Sequence, residues 1–459
     1  MTAIAIIGGG PAGYVAAITA ARQGRQVTLI EEKSIGGVCL NEGCIPTKAL
    51  LESAETFERV KNAGLFGVRL PAGEAEIDWS GVQHRKQQIV QTLVQGVQYL
   101  MSKNQITVVN GKARFINDYQ LAVDTESGTE TIRADKVIIA AGSEPAALPF
   151  APFDEEWVIH SGQAMSLASL PSELLIIGGG VIGCEFASVY SRMGARVTIV
   201  EMADQLLPGE DADVAAVLEG KLAEDGVDIY TSASVKELRS LSQTAVIETK
   251  AGIKEVRADK VLVAVGRKPR VSALQLENAG IAYSSHGIDV NERMETSVPH
   301  IYACGDIIGG IQLAHVAFHE GTVAALNACG ESMEVNYHAV PRCIYTSPEI
   351  ASVGLTEQQA RETYGDVRVG EFPFQANGKS LIAGQTAGKV KVLVEPQYNE
   401  IVGVSIVGAH ATELIGQGTV MLQGEMTAES MEHFIAAHPT LSEAIHEALL
   451  NTVGEAVHV

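Results

Sequence analysis

"AIAIIGGGPAGYVAAITAARQGRQVTLIEE" (residues 3 to 32) aligns without a gap onto "ELLIIGGGVIGCEFASVYSRMGARVTIVEM" (173 to 202), so the chain carries one supersecondary unit twice. In each copy an apolar run (Ile4 to Ile7; Leu174 to Ile177) reads as a buried strand, GxGxxG opens a helix, and a second strand ends in an acid. The glycines are Gly8, Gly10 and Gly13 in the first copy and Gly178, Gly180 and Gly183 in the second. The acids, Glu31 and Glu201, each stand eighteen residues after the last glycine. That spacing ends the second strand with a carboxylate able to accept a ribose hydroxyl. The glycines allow a tight turn, close approach of a pyrophosphate to backbone N–H groups, and close packing of helix on strand. One such motif is weak evidence; two complete units predict two dinucleotide sites.

A second pair of matches extends the duplication. "ADKVIIAAGSEP" (134 to 145) and "ADKVLVAVGRKP" (258 to 269) each read as strand, glycine turn and proline exit. The first copy is longer by 46 residues between glycines and ADK. That excess contains "GGVCLNEGC" (36 to 44) and the periodic "HRKQQIVQTLVQGVQYLMSKN" (84 to 104), which predicts a long amphipathic helix. Beyond 335 the texture changes to alternating strand patterns, "GKVKVLVEP" (388 to 396) and "EIVGVSIVGAH" (400 to 410), closing with helical "LSEAIHEALLNTV" (441 to 453). The expected fold is α/β: two Rossmann-like dinucleotide-binding domains plus a C-terminal α+β dimerisation domain.

Composition narrows the function classes. With 459 residues, 46% hydrophobic, two to four domains are expected. Lys plus Arg number 33 against 55 Asp plus Glu, and a net charge of −22 repels phosphate backbones and anionic bilayers. Neither nucleic acid nor a membrane is an expected partner. The opening MTAIAIIGGG passes from a short apolar run directly into glycines, without a basic leader, and no run of eighteen apolar residues occurs. The expectation is a cytoplasmic protein.

Six cysteines do not make a disulfide scaffold in such a chain. Cys39 and Cys44 lack a second ligand pair at finger-like spacing, so no metal site is expected. Inert buried thiols describe Cys184, Cys304, Cys329 and Cys343. On an ideal helix, residues five apart have Cα atoms about 8 to 9 Å apart, too far for an unstrained disulfide. A bridge between Cys39 and Cys44 needs a distorted turn, which Gly36, Gly37 and Gly43 permit, and strained bridges are the readily reduced ones. A cycling disulfide fits this stretch better than a staple. Lys48, four residues after Cys44, shares its face on a continuing helix, where a cation stabilises a thiolate.

These features, with "GGVCLNEGCIPTK" (36 to 48), "VGRKP" (265 to 269), "YACGDI" (302 to 307), "YTSPEIASVGLTE" (345 to 357) and "AAHPTLSEA" (436 to 444), run in order along the whole chain. Together they resemble the class I flavoprotein pyridine nucleotide-disulfide oxidoreductases, and among them the dihydrolipoamide dehydrogenases. The resemblance implies FAD on the first unit: Glu31 at the adenosine ribose, Lys48 near the flavin, Asp306 at the ribityl chain, and Ala113 and Ala314 as backbone contacts. It implies NAD on the second unit, along Gly178, Gly180, Val181, Ile182 and Gly183, with Glu201, Val235 and Gly266. Glu185 resembles the buried partner of Lys48. The choice of NAD over NADP also has a direct argument, since Glu201 repels a 2′-phosphate and its neighbours Met202, Ala203 and Asp204 supply no cation.

Within "HPTLSE", His438 has an imidazole suited to moving a thiol proton near neutral pH, and Glu443 can fix its tautomer. The resemblance singles out this pair as catalytic and implies that it comes from the partner in a homodimer. The implied reaction is oxidation of dihydrolipoamide, carried on the lipoylated acyltransferase or carrier protein of a multienzyme complex, with reduction of NAD+. The alternative is a glutathione-reductase-like enzyme, disfavoured by Glu201. The expected division is 1–147 (first part of the FAD-binding domain, with the redox cysteines), 148–268 (NAD-binding), 269–335 (completing the FAD site) and 336–459 (dimer interface). Val38, where the family often has Thr, and His319 depart from the usual pattern.

Overall fold

Strand Ala3–Ile7 lies between Gln26–Glu31 and Lys136–Ile139, parallel to both, in a five-stranded sheet completed by Thr107–Asn110 at one edge and Ile301–Ala303 at the other. The coordinates are a computed structural model describing residues 2–70 and 75–458. Ile4, Ala5, Ile6 and Ile7 are all buried, as a parallel strand covered on both faces requires. The crossover helix Pro11–Arg22 begins at Gly10, with Pro in the first turn. Its buried Ala12, Ala16, Ala17 and Ala20 make a thin face that lets it sit close to its neighbours. One neighbour is the helix Ala314–Ala328, where a Cβ at Gly321 would lie 2.3 Å from the Ala12 carbonyl oxygen.

The second unit repeats this frame. Its sheet runs Asp228–Tyr230, Arg196–Val200, Glu173–Ile177, Lys260–Val263, Val158–Ile159. Ala3 pairs with Gln26 and Glu173 with Arg196, the same register 170 residues further on. Each unit carries a three-stranded antiparallel meander, within 112–133 and 234–257. The two glycine-turn exits do more than leave their sheets: Ser143–Pro145 and Arg267–Pro269 pair antiparallel with each other and tie the units together.

The extra length of the first copy folds as the short helix Gly37–Glu42, the helix Cys44–Lys61 and the helix Trp79–Lys103. The last starts five residues before the predicted segment because Asp78 caps it, accepting from the Gly81 N–H at 3.0 Å.

The C-terminal part is a five-stranded antiparallel sheet in the order 342–344, 349–354, 401–408, 389–394, 368–373. Helices Ala411–Gln423 and Glu443–Asn451 share a core with it. Its alternating appearance in the sequence is misleading: every residue of Ile401–Gly408 is buried. The strand is central, and part of the sheet, through Ile344, Ile350 and Val407, packs in one core with Phe186 and Leu218 of the second unit. Lys391, only 2% exposed, spans that seam, with Nζ 2.7 Å from Asp213 and 3.1 Å from Glu357. Among the described residues no helix is long and apolar enough to cross a membrane.

Candidate active site at the junction of the two nucleotide units

A cavity of about 1630 Å³ runs between the units and is lined by both glycine loops. This exceeds the few hundred to about 1,000 Å³ of a typical small-ligand pocket and suits two extended dinucleotides. Within each loop the three glycines divide their work. A Cβ at Gly8 (φ +100°) would fall 2.3 Å from the Ala140 carbonyl oxygen, and one at Gly13 1.8 Å from that of Gly8, so both serve backbone packing. Gly178 and Gly183 repeat this at 2.5 Å and 2.0 Å. The middle glycines face open space: a Cβ on Gly10 would meet nothing closer than Gly37 at 3.9 Å, and one on Gly180 nothing within 4 Å among the described residues. Both helices begin without a side-chain cap, leaving N–H groups for an anionic ligand. The residues present therefore fit FAD and NAD.

Glu31 and Glu201 have a task that their spacing did not reveal. Each carboxylate braces its own glycine loop: Glu31 accepts from the N–H of Gly9 at 2.6 Å and of Lys33 at 2.7 Å, Glu201 from Gly179 at 2.6 Å and Ala203 at 2.7 Å. Both residues line the cavity.

Cys39 and Cys44 sit on different helices. Gly36 and Gly37, at φ +93° and +58°, turn the chain into Gly37–Glu42; Gly43 (φ −148°, ψ −114°) breaks it, and a new helix starts at Cys44. The break brings the two thiols close together, which one continuous helix would not allow. A Cβ at Gly37 would lie 2.6 Å from the Gly10 Cα, so the cysteine turn packs directly on the first glycine loop. The Cys39 hydrogen bond, aided by the Lys48 ammonium, outweighs burial and pulls the Cys44 thiol down to about 7. Cys39, whose hydrogen bond and burial act the other way, is pushed up. Lys48 Nζ lies 2.9 Å from both oxygens of buried Glu185.

Opposite the cysteines, Asp306 accepts from Ser143 Oγ at 2.5 Å, and that oxygen accepts from Arg267 Nε at 2.8 Å. Glu320 is a buried acid that sequence reading missed. It accepts from the Gly305 N–H and the Tyr337 hydroxyl, both at 2.7 Å, and burial raises its carboxyl above the usual range. Only the sheet closure brings these partners together, so no local pattern announces it.

The pyridine nucleotide-disulphide oxidoreductase family model matches residues 2–321, and that family's dimerisation domain matches 340–449. The chain belongs to the pyridine nucleotide-disulphide oxidoreductase family. Within it, a dihydrolipoyl dehydrogenase of Bacillus subtilis is 58% identical over 455 residues, covering 99% of each chain. One from Geobacillus stearothermophilus is 39% identical, covering 99% of this chain and 97% of its own. Among solved structures, LpdA from Mycobacterium tuberculosis superposes with a TM-score of 0.90 at 29% identity, over 98% of this chain and 99% of its own. The hypochlorous-acid-induced flavoprotein disulfide reductase RclA of Escherichia coli gives 0.86 at 29%, over 98% and 99%. The fold class and enzyme class read from the sequence stand: this is an oxidoreductase of the dihydrolipoyl dehydrogenase group, using FAD and NAD.

The family's dimerisation domain supports a homodimer. On that domain His438 Nδ1 meets Glu443 Oε1 at 2.9 Å, but the imidazole is 79% exposed and does not line the cavity of its own chain. Burial would raise the Glu443 carboxyl; the Thr440 N–H at 2.7 Å and the His438 ring outweigh it and hold it low. One helical turn on, His458 Nδ1 and Glu447 Oε1 make a second such pair at 2.7 Å, which nothing in the local sequence marked. Of the remaining expected contacts, Ala314, Val181, Ile182, Val235 and Gly266 line the cavity. Gly13, Gly183 and Ala113 do not. The two glycines are packing positions, and the Ala113 side chain is buried in the core under the first sheet, which leaves only its backbone for a ligand. Among the described residues no grouping of side chains could hold a metal ion.

Proposed function

We propose that Cys39, Cys44, His438 and Glu443 carry out oxidation of dihydrolipoamide presented by a lipoylated acyltransferase or carrier protein of a cytoplasmic multienzyme complex. The observation that carries the reading is the helix break at Gly43, which brings Cys39 and Cys44 together on a cavity lined by both glycine loops, with Lys48 one turn further along the Cys44 helix. His438, with Glu443 on Nδ1, accepts a substrate thiol proton at Nε2. The substrate thiolate attacks Cys39 Sγ and breaks the Cys39–Cys44 bond, and Cys44 leaves as a thiolate facing Lys48. The second substrate thiol then displaces Cys39, its proton passing through His438 to the Cys39 sulfur. The substrate departs as the cyclic disulfide, and the enzyme holds the Cys39 thiol, the Cys44 thiolate, one proton on His438 and the two electrons.

Bound FAD would supply the acceptor for those electrons and NAD+ the final hydride acceptor. Gly8, Gly10, Glu31, Lys48, Ala113 (through its backbone), Asp306 and Ala314 would hold FAD. Gly178, Gly180, Val181, Ile182, Glu201, Val235 and Gly266 would hold NAD, with Gly13 and Gly183 keeping each loop tight and Glu185 fixing Lys48. Exposure of His438 in a single chain supports its service to the partner's cysteines in the homodimer. The division 1–147, 148–268, 269–335 and 336–459 belongs to the same reading.

Anaerobic titration with NADH is the test. A long-wavelength thiolate-to-flavin absorption band supports the assignment, and an unchanged spectrum rejects it. Rates with NADH and lipoamide against NADPH and glutathione separate the main reading from a glutathione-reductase-like one.

A further inference from the structure

Lys48 is held from three directions by three parts of the fold. Its own helix, Cys44–Lys61, belongs to the first nucleotide unit; Glu185, which receives the ammonium, lies on Val181–Arg192 of the second. The third contact comes from the C-terminal domain. Tyr345, just after strand Arg342–Ile344, places its ring face 4.5 Å from Lys48 Nζ. The same residue's N–H donates to Glu185 Oε1 at 3.0 Å, the oxygen that also receives Lys48. The ammonium is therefore closed between a carboxylate and a π face, and its carboxylate is itself anchored by the backbone of the residue that supplies the ring.

We infer that Tyr345 is a positioning residue, whose ring face holds the Lys48 ammonium against Glu185, one helical turn along from Cys44. The inference rests on the proposed role of Cys44 as the thiolate of the reduced enzyme. An aromatic face attracts a cation through its quadrupole, so Lys48 stays by the thiolate without a second carboxylate, whose charge would oppose that thiolate. With an aliphatic side chain in its place, the flexible lysine extends toward water and the thiolate loses part of its counter-charge. The Tyr345 hydroxyl is not the active part: burial pushes it to about 12, so it stays neutral across the working range. The other groups facing this cluster are Cys39 and Arg267 toward Cys44, and Cys343, Glu349 and Glu413 toward the Tyr345 ring. None is altered by substitution at 345.

The test is a pH titration of the thiolate-to-flavin band in the anaerobic, two-electron-reduced holoenzyme. Tyr345→Phe keeps the ring and is expected to match the parent midpoint. Tyr345→Leu is expected to raise it by about half to one pH unit. Phenylalanine carrying one, two or three ring fluorines at 345 keeps the packing while draining charge from the face, and is expected to raise the midpoint with each fluorine. The fluorinated series also answers the question if the leucine variant does not fold. A midpoint that ignores fluorination, or moves only with side-chain volume, overturns the inference while leaving the thiolate assignment intact. Absence of the band in the parent enzyme overturns that assignment and the inference together.

Discussion

The two nucleotide-binding units are the same frame put to different use. Both have a parallel sheet, a register repeated 170 residues apart, outer glycines buried against backbone, a middle glycine facing the cavity and an acid bracing the loop. Only the first carries an inserted helical excursion immediately after its acid; that excursion packs on the glycine loop through Gly37 and brings Cys39, Cys44 and Lys48 to the same cavity. The second keeps the plain frame and lends Glu185 from its glycine helix. Duplication supplied two docking frames. In the proposed function the insertion supplies the chemistry, and its placement beside one loop sets which nucleotide exchanges electrons with sulfur.

The largest test of this contrast is Cys44→Ser, which removes a reacting atom from the insertion and leaves the frame alone. Lipoamide turnover is expected to fall by at least about 10³-fold, with FAD still bound by absorbance; retained turnover rejects the role. Next comes damage to either frame. Gly13→Val and Gly183→Val each force a side chain onto a carbonyl oxygen, at 1.8 and 2.0 Å for the first carbon alone. Overpacking of this kind costs about 1 to 3 kcal/mol. If the units are assigned correctly, the first variant loses flavin on gel filtration, while the second keeps flavin and shows a raised KM for NAD+. The reverse pattern would exchange the two assignments.

A smaller effect separates the two acids. Glu201→Gln is expected to raise kcat/KM with NADPH by about tenfold as repulsion of the 2′-phosphate is relieved, whereas Glu31→Gln leaves coenzyme preference unchanged and weakens flavin retention. The smallest concerns the seam joining only the second unit to the C-terminal domain. Burial would raise the Asp213 carboxyl, but Lys389 and Lys391 outweigh it and lower it to about 2. Its folded-state value lies below its unfolded one, so its stabilisation is complete above about pH 4 and disappears as pH falls toward 2. The side chain is 39% exposed, so solvent screening limits the contribution to about 1 kcal/mol. Urea midpoints of Asp213→Asn and the parent should differ at pH 7 and converge at pH 2.

The units, their strands and helices and the five-residue spacing of the cysteines were legible because each is a short-range pattern: a period, a glycine set, an acid at a constant offset. The sequence alone thereby determined two nucleotide sites and a sulfur pair beside the first. Tertiary structure decided what those residues touch. Lys48 meets Glu185 across 137 positions and Ser143 meets Asp306 across 163. Tyr345 closes on Lys48 from a third domain, Glu320 finds Tyr337, the two exit strands pair, and His438 stands clear of its own cavity. These contacts form only when sheets close and domains dock, and that closure depends on packing among distant segments, which leaves no trace in local periodicity.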